Sequence, residues 1–165
     1  MIVFEEKMRE LISLMPDWNG THPIRYDWGT VDVLNKFLLL PESVSKYPLI
    51  WLVTDSTKRD LLKSKVSRTT RLVIATMSND VDGFNFQQYQ TDYKDILLPT
   101  YENLIKLLNS SGVSKIVGSS IVEEMKPNYS VNDNGKGLIV VWNALVIDLD
   151  IELTEGCINQ VKFTI

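Results

Sequence analysis

Cysteine occurs once in these 165 residues, at Cys157. No internal disulfide can form, which excludes a small secreted domain stapled by bridges. Histidine also occurs once, at His22. One histidine and one distant cysteine fall short of the ligand set that a zinc centre requires. They make a poor nucleophile–base couple too, because neither carries a supporting local signature. A loop histidine and a filler cysteine near a strand end are the simpler reading. Apolar runs of about 18 residues are missing, so nothing is expected to span a membrane. The N-terminal stretch MIVFEEKMRELISLM carries acids early and lacks a small-residue cleavage site. It does not read as a signal peptide, and synthesis in the cytoplasm is expected. The glycines, at 20, 29, 83, 112, 118, 135, 137 and 156, form neither G-x-x-x-x-G-K-S/T nor G-x-G-x-x-G, so no phosphate loop is present. A net charge of −4 gives no general attraction to nucleic acid or to an anionic membrane.

What is present is pattern. Residues 140–153 read VVWNALVIDLDIEL. From Leu145 the alternation is strict: Leu145, Ile147, Leu149, Ile151 and Leu153 point one way, and Asp148, Asp150 and Glu152 point the other. Such a strand belongs to an antiparallel sheet with one covered side. Asn143 interrupts the apolar run and marks an expected bulge. The best cover is a helix over residues 92–109, capped by Thr91, with Leu97, Tyr101, Leu104, Ile105 and Leu108 on one stripe. Pro99 inside it predicts a kink, or a helix that starts properly near Leu98. Gly112 is its natural stop.

The remaining elements follow in order. Residues 3–15 form an amphipathic helix closed by Pro16, with Glu5 and Glu6 near the positive end of its dipole. Residues 23–26 suit a short edge strand. Thr30 caps a helix over 31–40 that Pro41 closes. Its apolar side is Val33, Leu34, Phe37, Leu38 and Leu40. The nearly continuous apolar run 47–54 suits a strand covered on both faces. Strands are also expected at 69–77 and 116–125. Between 55 and 68 lies a basic connector, read either as a long hairpin arm or as a loop with a helical turn at 60–65. Polar loops occupy 78–90 and 127–137. The expected fold is α+β: a mostly antiparallel sheet of about four strands covered on one face by an amphipathic helix, with an N-terminal helix and a long hairpin or loop projection. At this length a single domain, residues 1–165, is the default.

Three patterns bear on chemistry. Ser43-Val44-Ser45-Lys46 matches S-x-x-K by spacing, but its companion motifs are missing. Asp148 and Asp150 point the same way about 7 Å apart, as two carboxylates that hold a divalent cation can. Glu124-Met125-Lys126 has the E-x-K form of metal-dependent nucleases, in which acids bind the metal and the lysine steadies the attacking water. The simpler reading makes Asp148, Asp150 and Glu152 the wet face of a strand, and Glu124 and Lys126 surface charges before a loop. The basic connector can touch a phosphate backbone or an acidic neighbour, but it lacks interleaved aromatics for single-strand stacking. No catalytic, cofactor-binding or metal-ligating residue and no cofactor is assigned. The candidate subunit interface is Lys58, Arg59, Lys63, Lys65 and Arg68 on the connector, with Asp148, Asp150 and Glu152 on the strand as its acidic counterpart.

The order of elements resembles the tail-terminator and tail-completion (neck ring) proteins of tailed bacteriophages. It is closest to versions from Bacteroides-type phages, crAss-like or prophage. The residues that carry the resemblance are Tyr47-Pro48 opening an apolar strand with Trp51, Leu98-Pro99-Thr100-Tyr101 in the helix, and the strand from Leu145 to Ile151 closing in Cys157. A short helix after Trp28-Gly29 fits as well. The likeness covers residues 3–157 and rests on packing residues. It implies a structural virion protein: a homo-oligomeric ring, hexamer or dodecamer, at the head–tail joint. Such a ring contacts portal or neck and tail proteins, and genomic DNA passes through it without sequence-specific binding. No enzyme activity and no membrane are implied. The alternatives are the metal-dependent nuclease and an intracellular adaptor domain.

Overall fold

Two 14-residue strands, β4 (Lys65–Ser78) and β6 (Val141–Thr154), form the spine of the fold. They run antiparallel in unbroken register from Lys65 opposite Thr154 to Ser78 opposite Val141. The computed structural model describes residues 1–39, 48–60, 64–78, 85–129 and 141–163. Around the spine lie β1 (Arg25–Gly29), β2 (Leu49–Val53), β3 (Lys58–Asp60) and β5 (Ser114–Lys126). The spatial order is β1-β2-β4-β6-β5, with β3 paired to β4 alone.

The protein is α+β, and among the described residues its sheet has six strands and is mixed. The expected count of about four strands is short by two: the edge strand suited to residues 23–26 forms as β1, slightly later in the chain, and the hairpin reading of the connector supplies β3. The pair β1–β2 is parallel, Arg25 opposite Leu49 and Gly29 opposite Val53. The connection that makes it so contains α2 (Val31–Leu39). A crossover of this kind is what lets two strands run the same way.

The sheet is covered on both faces, not one. α1 (Phe4–Ile12) and α4 (Leu98–Ser110) lie over the first face. There Phe4, Met8 and Leu11 meet Leu104, Leu107 and Leu108 above Leu72, Ile74 and the whole set Leu145, Ile147, Leu149, Ile151 and Leu153. Each of those five β6 side chains contributes roughly 1.5–3 kcal/mol by burial. On the second face α2 places Leu34 and Leu38 over Trp51, Val73, Ala75, Trp142 and Val146. Alternate residues of β2 thus enter opposite cores, which accounts for its continuous apolar run. Of the expected α2 stripe, Val33 is exposed, and Leu40 lies outside the described residues.

Helix boundaries follow local chemistry. Thr30 caps α2, its hydroxyl accepting from the Val33 amide at 3.4 Å. Gly112, with φ +78°, closes the end of α4. Upstream, helix begins earlier than expected, at α3 (Phe86–Gln88), where the Asn85 side chain accepts from the Gln88 amide. Thr91 is therefore not a cap; it lies inside the helix and donates to the Gln87 carbonyl. Between α3 and α4, residues Tyr89–Leu97 wind as a π-helix. Pro99 supplies the reason. It has no N–H for the Asp95 carbonyl four residues back, so the α ladder cannot continue through it. The Leu98 amide reaches Tyr93, five residues back, and the α ladder resumes from Leu98, where the sequence places the start.

The expected bulge at Asn143 is absent, since β4 and β6 pair without a slip across it. The irregularity sits in β5, between Val117 and Val122. Asn143 is fully buried and engages two partners with its side chain. Its Oδ1 accepts from the Asn128 amide at 3.0 Å, and its Nδ2 donates to Asp92 Oδ2 at 2.7 Å.

Candidate functional site

Where α2 stops covering the second face, β4 and β6 leave their charged half open. Strand periodicity puts Lys65, Ser67, Thr69 and Arg71 on this face with Glu152, Asp150 and Asp148. Lys65 Nζ lies 2.6 Å from Glu152 Oε1. Arg71 makes a two-pronged contact with Asp148, Nε to Oδ1 and Nη2 to Oδ2, both at 2.8 Å. These hydrogen bonds from Arg71 hold the Asp148 carboxyl below its usual range. Asp150 stands between the two pairs, opposite Thr69, without an ion pair among the described residues. Beside it is a cleft of about 250 Å³ walled by Asp55, Ser56, Lys58, Thr69, Asp150 and Glu152.

The connector is a hairpin, with β3 antiparallel to the start of β4 and Asp60 opposite Lys65. Lys58 and Arg59 are exposed on it, and Arg59 donates to the Ile2 carbonyl. Lys63 lies outside the described residues, as do Ser43 to Lys46. Arg68 departs from the expectation of a surface interface residue. It faces the first core at 5% exposure. Its Nη2 meets Glu5 Oε1 at 2.7 Å, its Nε donates to Thr57 Oγ1 at 3.0 Å, and its guanidinium lies 4.4 Å from the centre of the Phe4 ring. The signal was present in the sequence: Val66, Arg68, Thr70 and Leu72 alternate as one face once the strand is taken to start at Lys65. Lys65, Asp148 and Glu152 are already paired within the chain, which leaves Lys58 and Asp150 of the expected set without an ion pair among the described residues; Arg59 makes no close ion pair there either, but its charge acts on Glu5.

The acids and lysine of the nuclease reading share the second face. Glu124 stands opposite Val146, two residue pairs from Asp148. They do not gather as a metal site. Asp148 spends both oxygens on Arg71, and Glu124 is paired with Lys126 at 2.6 Å. Among the described residues no three His, Cys, Asp or Glu side chains are grouped to hold a metal ion. Cys157 and His22 are exposed, and Thr21 Oγ1 lies 2.8 Å from the His22 ring nitrogen.

The two edges of the sheet differ. β1 has five residues, and its outward-facing Trp28 amide is taken by the neighbouring Asp27 carboxylate at 3.0 Å. Arg9 covers the Trp28 ring at 4.3 Å. A short strand with its amide occupied offers little to another chain. The opposite edge, β5, has 13 residues, mostly exposed. Val117 pairs with Asp150 and Val122 with Asp148, so residues 118–121 stand against Leu149 alone. Gly118, at φ +102°, permits the excursion. Beyond it, residues 122–126 run straight, with Val122 60% and Met125 49% exposed. On the first face Tyr101 donates to Glu123; burial first, then this carboxylate, pushes the phenol's pKa up. The motif on this edge, Glu124-Met125-Lys126, pointed to metal chemistry, and its other residues carry none, so sequence reasoning did not single out this strand as an interface.

Comparison with models of known protein families gives no match, and comparison with curated proteins gives none either. Among the described residues, no helix is long and apolar enough to cross a membrane. Among the described residues the arrangement offers paired surface charges, a cleft and a strand edge without a neighbour.

Proposed function

We propose that the chain is a structural subunit that assembles with copies of itself into a ring at the head–tail joint of a tailed bacteriophage, between portal or neck and tail, around the DNA channel. One observation carries the assembly part of this reading: β5 ends the sheet as a long exposed strand, with no neighbour among the described residues on its outer side. A row of unpaired backbone donors and acceptors is a template for another strand. The mixed-charge half-face beside it suits a wet subunit contact, and the exposed strand β3 adds a basic segment paired to the start of β4. The place in the virion rests on the resemblance in element order.

The test is the mass of the purified protein by size-exclusion chromatography with light scattering, followed by imaging. A ring gives six or twelve times the 18.9 kDa subunit and annular particles. A strict monomer that also binds no portal, neck or tail protein overturns the proposal.

A further inference from the structure

The ring reading leaves open which surfaces meet, and the sheet itself restricts the choice. β6 occupies one side of β4 along its whole length, so β3 lies on the other side, the side of β2. β5 lies beyond β6 at the far edge. The outer edge of β3 and the outer edge of β5 therefore face away from each other across the molecule. Their directions are opposed as well: β3 and β6 are both antiparallel to β4, and β5 is antiparallel to β6. Copies repeated head to tail would bring β3 of one against β5 of the next as an antiparallel pair. The β1 edge cannot take this role equally well, because Asp27 occupies the Trp28 amide.

Charge selects the register. Lys58 stands opposite Ser67 and so projects on the second face, and Arg59 stands opposite Val66 and projects on the first. Across the molecule, Glu124 stands opposite Val146 on the second face, and Glu123 opposite Ile147 on the first. An antiparallel pairing that sets Lys58 against Glu124 places Arg59 against Glu123 and Asp60 against Val122. Both faces then match at once, and no like charges are opposed. All four charged side chains are exposed.

We infer that β3 of one copy pairs antiparallel with residues 122–124 of β5 in the next copy, held in register by Lys58–Glu124 and Arg59–Glu123. The contact is heterologous, the kind that closes into a ring when the rotation per subunit allows. It deepens the ring reading and rests on it. The charge of Glu124, now held by Lys126, turns to the neighbour, and assembly should weaken as salt screens both pairs.

The experiment uses two variants of the full chain, K58E/R59E and E123K/E124K, with circular dichroism to verify folding. Each alone opposes like charges across the contact and should elute as the 18.9 kDa subunit. Mixed in equal amounts, they should reassemble, because every contact between unlike variants regains opposite charges. A second readout does not depend on assembly strength. In a Cys157→Ser background, a mixture of Lys58→Cys and Glu124→Cys chains should give a mixed disulfide. If both charge variants keep the wild-type mass, this contact is overturned while the ring reading stands. If the Glu124→Cys chain alone forms a symmetric disulfide dimer instead, β5 pairs with itself and the inference is overturned. A wild-type protein that is monomeric and binds no virion partner overturns both.

Discussion

Arg68 Nη2 lies 2.7 Å from Glu5 Oε1, joining β4 to α1 at the rim of the first core. Arg68 has 4% of its side chain exposed and Glu5 20%, so the pair is an internal one. Burial opposes the Glu5 charge. Its own backbone hydrogen bond and Arg68 outweigh that and keep the carboxyl below its ordinary value.

Removing one partner should cost more than removing both. Glu5→Ala leaves a guanidinium in the core without a counter-charge and should destabilise by about 3 kcal/mol, the low end for a buried pair because Glu5 still touches water. Adding Arg68→Met should recover most of the loss, since the methionine fills the space over Phe4 without a charge. A double-mutant cycle in urea reads the difference. Equal losses in the single and double variants would contradict the pairing.

Stability should fall in acid, with a definite sign. Glu5 and Asp148 both have carboxyls depressed in the folded state, from ordinary values of 4.5 and 3.8. Their contribution is complete above those values and disappears as pH falls through the lower folded ones. Urea midpoints measured between about pH 2 and 7 should decline on the acid side, and Glu5→Gln with Asp148→Asn should flatten that decline. Asp148 alone should account for little, about 1 kcal/mol at most, since its partner Arg71 is exposed.

Asn143→Asp should reverse the pH response. The new carboxyl would face Asp92, 2.7 Å away in the wild-type bond, at a buried site. Two carboxyls so placed cannot both ionise, and one takes up a proton. The variant should be most stable in acid and lose stability as pH rises, opposite to the parent in the same urea series. A variant that tracks the parent across pH would show that the side chains do not meet.

Trp18→Phe tests the stitch at Pro99. The Trp18 indole donates at 3.2 Å to the Asp95 carbonyl, the group that Pro99 cannot serve. The loss should be about 1 kcal/mol, because water can replace the donor at this exposed place. Trp18→Phe made in a Pro99→Ala background should cost less, because an alanine there can supply the missing N–H. An equal cost in both backgrounds would separate the indole bond from the proline.

Period-two alternation made β6 legible, and the charged residues of its second face were assigned correctly to a wet surface. Pro99 and Gly112 gave the limits of α4 because each imposes a backbone conformation by itself. The interior place of Arg68 was legible only in part. Its alternation with Val66 and Leu72 was there, but a positive charge within a basic segment weighs toward solvent until a counter-ion is known. That counter-ion, Glu5, comes from 63 residues away. The parallel β1–β2 pair and the break in β5 left no such mark.

The sequence by itself determined the local terms: where α4 starts and stops, which face of β6 is apolar, and that no disulfide forms within the chain. Periodicity, proline and glycine act over a few residues, so they can be read along the line. Only the tertiary structure decided strand order, the second covered face, the pairing of Arg71 with Asp148, and which edge of the sheet has no neighbour among the described residues. Those depend on distant segments meeting, and a charge or a strand edge has no intrinsic partner until the fold puts one beside it.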